Sequence, residues 1–161
     1  CDRSSGRMDA LKPAKTTAND PRVRNLIETH LELMRASSPA CSVHAMEADD
    51  LADAGAALFA VFENEVAVAM GALKVIEPRH GELKSMHVAA TKRGHGLADL
   101  ILEALLSEAR SQSLNRVSLE TGSRPVFEPA VRFYTRHGFE KCDPFLGYEE
   151  DPESIFMTRT L

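Results

Sequence analysis

The stretch MHVAATKRGHGLADL, residues 86–100, constrains this chain more than any other. A β-prone run enters a short loop, and the loop enters a helix with an apolar stripe. Between them stand Lys92, Arg93, Gly94, His95 and Gly96. The first amides of a helix lack intrahelical partners and carry partial positive charge. Glycines let that backbone come within contact distance of an anion, because no Cβ intervenes. Lys92 and Arg93 add mobile cations. The physical reading is a phosphate or pyrophosphate cradle at a helix N-terminus; the plainer alternative is a surface turn with incidental charges.

The rest of the chain sets the fold class. MDALKPAKTT reads as an opening edge strand, since it contains a proline. NDPRVRNLIETHLELMRASS reads as a helix: Asn19 or Asp20 caps it, Pro21 suits its first turn, and Val23, Leu26, Ile27, His30, Leu31 and Met34 recur at helical spacing. A loop and a short helix ending at Gly55 come next. AALFAVFENEVAVAMGALKVIE reads as a hairpin turning at 63–65, and RHG turns the chain into ELKSMHVA. Leu97, Ile101, Leu102, Leu105, Leu106 and Ala109 form a helical stripe. NRVSLET is a strand, EPAVRFYTRHG a helix stopped by Gly138, FEKC a short strand, and SIFMTRTL the last one. The order β-α-α-β-β-β-α-β-α-β-β predicts an α/β domain with a mixed sheet.

At 161 residues the chain is read as one domain, 8–161, preceded by a lead-in of residues 1–7 that is either an expression remnant or disordered. No window has the roughly 18 apolar residues of a membrane span. The start has no apolar signal region. The three cysteines, Cys1, Cys41 and Cys142, make no CxxC pair, and the histidines make no HxH or HExxH, so neither zinc nor another metal is expected. A cytoplasmic setting fits. A net charge of −5 opposes nucleic-acid binding, which needs excess Lys and Arg.

The spacing of the loop decides between phosphate ligands. GxxxxGK[ST] is absent, and GxGxxG fails at Asp99, where an acid would repel a pyrophosphate, so an oxidoreductase is a distant reading. What is present is Arg93-x-x-Gly96-x-Ala98. This resembles the acyl-coenzyme A loop of the GCN5-related N-acetyltransferase (GNAT) superfamily. AVRFYTRHGFE resembles that superfamily's second motif, and the element order from Met8 to Leu161 is similar to its own. LETG, FxPA, GF, CxPF and YxxDPxSxFM together are similar to a small bacterial subgroup with ill-defined acceptors. One departure stands out: Phe127 occupies the place where many members carry a cofactor-holding asparagine.

The resemblance implies a mostly antiparallel central sheet of six to seven strands, about four flanking helices, and splayed central strands. It implies acetyl-CoA as cofactor, held by Arg93, Gly94, His95, Gly96, Leu97 and Ala98, with the pantetheine arm along Met86, His87 and Val88. His95 either touches phosphate or is simply solvated. An amine would attack the thioester directly, which requires a base, oxyanion donors and an acid. Tyr134 stands where many members place the acid. Two carboxylates compete as base, with a water chain or another group as the third alternative. Glu82 shares strand parity with Lys84, Met86 and Val88, whereas His87 has the opposite parity and is expected to face a covering helix. Glu120 lies on the next strand. Each has a structural alternative: Glu82 in a pair with Arg79 or neighbours of Lys84, Glu120 in a pair with Arg116 or Arg124.

Acceptor contacts would come from MRASSPACSVHAM, with Met34 and His44, and from DPFLGYEEDPESIFM, with Tyr148 and the acids Asp143, Glu149, Glu150, Asp151 and Glu153. That acidic run either attracts a cationic amine or keeps an edge strand soluble. The expected activity is acetyl transfer to a primary amine of a small molecule or peptide rather than a histone tail. The alternative is a non-catalytic acyl-CoA-binding module. Exposed strand edges or helix faces could support a homodimer.

Overall fold

The computed structural model describes residues 12–37, 56–145 and 148–161. In chain order the elements are β1 (Ala14–Thr16), α1 (Pro21–Ser37), β2 (Ala57–Glu63), β3 (Val66–Glu77), β4 (His80–Val88), α2 (Leu97–Ser111), β5 (Arg116–Gly122), α3 (Glu128–Arg136), β6 (Glu140–Cys142) and β7 (Ser154–Thr160). Short 3₁₀ turns at Ala90–Lys92 and Pro125–Phe127 lead into α2 and α3. The strands form one sheet in the order β1-β2-β3-β4-β5-β7-β6. All neighbours are antiparallel except β4 and β5, which run parallel. Three helices lie among the described residues. The short helix expected before Gly55, and His44 with it, lies outside them.

Local chemistry explains the boundaries. Asp20 Oδ1 accepts the Arg22 amide at 2.9 Å, so Asp20 caps α1 just before Pro21. The β2–β3 turn uses Asn64 and Glu65, both at positive φ, as a two-residue hairpin requires. Gly138 ends α3 at φ +87°, its amide returning to the Thr135 carbonyl at 3.1 Å.

Helices cover both faces of the sheet. On one, Val23, Leu26, Ile27 and Leu31 of α1 pack on Leu58, Ala60, Met70 and Ala72. On the other, Leu97, Ile101, Leu102, Leu105, Leu106 and Ala109 of α2 pack on Leu73, Leu83, Val117 and Leu119, joined by Tyr134 and Phe139. Both stripes are those read from the sequence. A side chain at Gly71 would collide with Met86, Ile101 and Leu105, which is why α2 can lie so close to β3.

Two features of β4 shape the space beside it. Its pairing with β5 runs from His80–Arg116 to Leu83–Leu119 and stops there, although both strands continue. The two strands part beyond that point. The register with β3 also shifts between Met70–His87 and Ala72–Lys84, with Ser85 at φ +57°. This is a bulge, and it moves every later side chain to the opposite face.

Candidate active site

The gap where β4 and β5 part holds a cavity of about 520 Å³. Its two ends differ in construction. At one end, the loop after β4 leads into α2. Gly94 and Gly96 adopt φ of +83° and +77°, and a Cβ on either would meet nothing within 4 Å. The open space in front of this backbone is what a cradle for a bulky anion requires. Arg93 lines the cavity, with Nε donating to the Val88 carbonyl at 3.3 Å, which fixes the guanidinium at the end of β4. Ala98 lines it too; Gly94, His95 and Gly96 are exposed and lie outside the lining.

Three side chains at this end are engaged elsewhere in the protein. Leu97 is buried in the core, so only its backbone N–H is available to a ligand. Lys92 is tied to Glu63 at 2.7 Å. Asp99 does not oppose an anion with a bare charge. Its carboxylate meets His137 Nε2 at 2.7 Å and Arg136 at 3.1 Å, and these hold it below its usual range against the opposing pull of partial burial.

The other end is buried and built from distant segments. Glu82, 2% exposed, accepts from Lys84 Nζ at 3.4 Å and from the Tyr148 hydroxyl at 3.1 Å. Lys84 also donates to Tyr148 Oη at 3.4 Å. Burial, then the charges of Glu82 and Glu120, push the Tyr148 phenol well above its ordinary value, and both carboxylates line the cavity. Glu120 accepts from Ser154 Oγ at 2.7 Å. The two candidate bases therefore share one wall, and the expected pairs of Glu120 with Arg124 and of Glu82 with Arg79 are replaced. Arg124 binds Glu153 at 2.6 Å instead. Tyr148 is seated by rings: Phe156 stacks on it at 5.9 Å and Phe145 meets its edge at 5.5 Å.

Tyr134 of α3 lines the same cavity and is 6% exposed. Burial raises its phenol far above the usual value, so it keeps its proton at neutral pH. Phe127, in the place of the family's asparagine, lies over Gly122 at the cavity wall, and no side chain could replace that glycine without displacing the ring. The segment thus supplies an apolar surface rather than an amide.

The parity expected along β4 fails, and the bulge at Ser85 is the reason. Met86 turns toward α2, where its sulfur lies against Gly71, and it does not share a face with Glu82. His87 instead joins Glu82 and Lys84 on the α1 side. There His87 Nδ1 meets His30 Nδ1 at 3.1 Å, both rings 8% exposed. Burial lowers both to a pKa of about 4, helped by His87 for His30 and by Arg93 for His87. The covering helix expected for His87 is thus α1. The sequence reading missed the pair, Lys84 and Ser154. Met34 lies on α1, and its side chain is outside the described set.

The acidic run before β7 is only partly a rim. Glu153 is bound to Arg124, and Asp151 accepts the Glu153 amide at 2.8 Å, so these two hold the loop. Asp143, Glu149 and Glu150 are exposed or half-buried at its surface. Among the described residues, no group of three or more His, Cys, Asp or Glu could hold a metal. No helix among them is long and apolar enough to cross a membrane.

Residues 23–139 match the acetyltransferase (GNAT) family. The chain belongs to that family. It is 40% identical over 139 residues to the uncharacterized N-acetyltransferase YsnE of Bacillus subtilis, covering 86% of this chain and 92% of that protein. It is 39% identical over 141 residues to the uncharacterized N-acetyltransferase YedL of Escherichia coli, covering 88% and 89%. A crystal structure from Klebsiella pneumoniae, assigned to the acyl-CoA N-acyltransferases, superimposes with a TM-score of 0.75 at 25% identity, covering 94% of this chain and 99% of that one. The GNAT fold accounts for the parted strands, and the chain is an N-acetyltransferase rather than a binding-only module.

Proposed function

We propose that the chain binds acetyl-CoA and acetylates a primary amine of a small molecule or peptide by direct attack in a ternary complex. The observation that carries this reading is one cavity between β4 and β5, with Arg93 and Ala98 at one end and Glu82, Glu120 and Tyr134 at the other. The groups present fit the cofactor. Open glycine backbone and Arg93 suit a pyrophosphate, and the β4 edge from Lys84 to Val88, unpaired with β5, offers backbone groups to an extended amide-bearing arm. Acetyl-CoA, when bound, supplies the acetyl thioester.

Each residue then has one task. Arg93 and the first amides of α2 hold phosphate charge. His87 and Val88 contribute strand backbone. The carboxylate pair Glu82 and Glu120 takes a proton from the incoming ammonium, because only the free amine is a nucleophile. Tyr134 Oη holds the proton that a departing thiolate takes. Burial keeps that phenol protonated at neutral pH. We place this domain at 8–161 and its setting in the cytoplasm.

Thermal unfolding with acetyl-CoA, CoA and NAD tests the reading. A ligand at about 100 times its Kd adds roughly 2.7 kcal/mol, which raises Tm by about 2 to 4 °C per kcal/mol in a chain of this size. The shift is expected with acetyl-CoA and CoA and not with NAD. Tyr134→Phe should then lower kcat about 100-fold with acetyl-CoA affinity unchanged. No shift with either CoA ligand rejects the cofactor, and a wild-type rate in the Phe variant rejects the acid.

A further inference from the structure

We propose, resting on the reading of this cavity as the acetylation site, that His30 and His87 form a subsite for an uncharged carboxamide carried by the acceptor amine. The two rings come from α1 and β4 and meet edge to face, with Nδ1 against Nδ1 at 3.1 Å and centroids 5.1 Å apart. Ring nitrogens this close share one hydrogen: one Nδ1 donates it and the other accepts. Burial lowers each ring to a pKa of about 4, so both are neutral at pH 7. A neutral imidazole carries a single N–H. The donating ring therefore has a bare Nε2, and the accepting ring has its hydrogen on Nε2. Whichever ring donates, the pair shows one acceptor and one donor at its two Nε2 atoms.

Both Nε2 atoms are open to a ligand. Each ring is 8% exposed and makes no second hydrogen bond among the described residues. Yet among those residues no buried side-chain nitrogen or oxygen lacks a partner. The two Nε2 atoms therefore reach open space, and both rings line the cavity. The bulge at Ser85 sets their place in it, because it puts His87 on the same face of β4 as Glu82 and Lys84. A ligand group that enters here displaces solvent, and one that cannot make both bonds loses affinity. An ammonium only donates and a carboxylate only accepts, so either leaves one Nε2 unmet. An ester serves only the donor. A carboxamide accepts at oxygen and donates at nitrogen, and so serves both. Its two groups stand on different atoms, as the two Nε2 stand on different rings, whereas a hydroxyl has one atom for both tasks.

The test is equilibrium binding by calorimetry to the full chain in the presence of CoA. The probes are glycinamide, β-alaninamide and 6-aminohexanamide, which vary the distance from amine to amide. Each is compared with its methyl ester and with the alkylamine of equal length. One net hydrogen bond corresponds to about threefold to tenfold in affinity. In at least one set the amide should bind about tenfold tighter than the alkylamine, with the ester between them. His30→Leu removes one Nε2 and releases the tautomer of the other ring, so the ratio should fall to about threefold or less. A second measurement needs no variant. In ¹⁵N spectra of the six histidines, two neutral rings should show opposite tautomers at pH 7, and the best amide should move both of their Nε2 signals. The proposal is overturned if the amides bind no better than the alkylamines, if no probe binds, if the ratio survives in His30→Leu, or if no amide moves both signals. Weaker acetyl-CoA binding in His30→Leu with an unchanged probe ratio would assign the pair to the amides of the cofactor arm, and overturns it as well. Turnover is read separately. Amides that bind with the expected preference but are never acetylated reject the enzymatic reading and leave the subsite standing. Acetylation of all the probes without any preference in binding rejects the subsite and leaves the enzymatic reading standing.

Discussion

The two ends of the cavity are built by opposite means. The cradle end is one continuous segment, Arg93 to Ala98, largely exposed and shaped by two glycines at positive φ. The acceptor end draws Glu82 and Lys84 from β4, Glu120 from β5, Ser154 from β7 and Tyr148 from the loop before it, and most of these groups are held by one another. A contiguous exposed loop can change by single substitutions without disturbing the core. A buried, mutually bonded cluster answers any change as a unit. The cofactor end should therefore fail cleanly, and the acceptor end cooperatively.

The largest effect is expected at the cradle. Arg93→Ala with Gly96→Asp removes a cation and places a carboxylate at the start of α2, where an anion is to bind. Acetyl-CoA affinity should fall at least about 100-fold, since charge-assisted hydrogen bonds of this kind contribute about 1.5 to 3 kcal/mol each. Aspartate in the left-handed region costs roughly 1 to 2 kcal/mol, so the variant should remain folded by circular dichroism. Unchanged affinity by calorimetry would remove this loop from the cofactor site and erase the contrast.

The cluster is tested by a double-mutant cycle. Glu82→Gln and Glu120→Gln should each lower kcat about 100-fold, within the usual range for a lost acid–base group. Because both carboxylates line one cavity, the double variant should fall well short of the product of the two losses. Full additivity would mean two independent residues and would split the acceptor end into separate parts.

These differences also decide how far the sequence alone could be read. The stripes of α1 and α2, the stop at Gly138 and the β2–β3 turn follow local rules, and each is set by residues a few positions apart. The loop before α2 is local too, and its glycines at the start of that helix could be read. Met86 and His87 could not be placed on the correct faces, because simple alternation carries no sign of a bulge at Ser85. The meeting of Glu82 with Tyr148 joins positions 66 apart in the chain, and nothing in either neighbourhood encodes it. Phe127 was legible as a departure but not as a surface over Gly122. His30 looked like one more member of an apolar stripe, and only the packing of α1 against β4 shows its partner.

The histidine pair gives the acceptor end a pH signature that the cradle lacks. Both folded pKa values lie near 4, below the ordinary 6.5. Between those values the unfolded chain binds more protons than the folded one. The contribution is therefore present above pH 6.5 and lost as pH falls through 4. Two groups together correspond to about 2 to 4 kcal/mol between pH 7 and pH 5. Urea unfolding at the two pH values should show this drop, and His30→Leu with His87→Leu should flatten it. A drop that survives in the double variant would assign the acid sensitivity to other groups.

The smallest effect is expected where the two ends are joined. Asp99 sits in the first turn of α2, beside the cradle, and binds Arg136 and His137 at the end of α3, the helix that carries Tyr134. Its side chain is 40% exposed, so the energy is modest: Asp99→Asn should cost about 0.5 to 1 kcal/mol. The informative quantity is the division between kinetic constants. If the contact only staples the surface, kcat and the KM for acetyl-CoA both stay as they are while Tm falls slightly. If it aligns Tyr134 with the cradle, kcat falls severalfold with acetyl-CoA affinity preserved, and Arg136→Ala, which leaves the 2.7 Å bond to His137 intact, keeps most of the rate. The second pattern would mean that the locally built end and the assembled end are mechanically coupled through one carboxylate, and that the acid positioned at the acceptor depends on the turn that holds the cofactor.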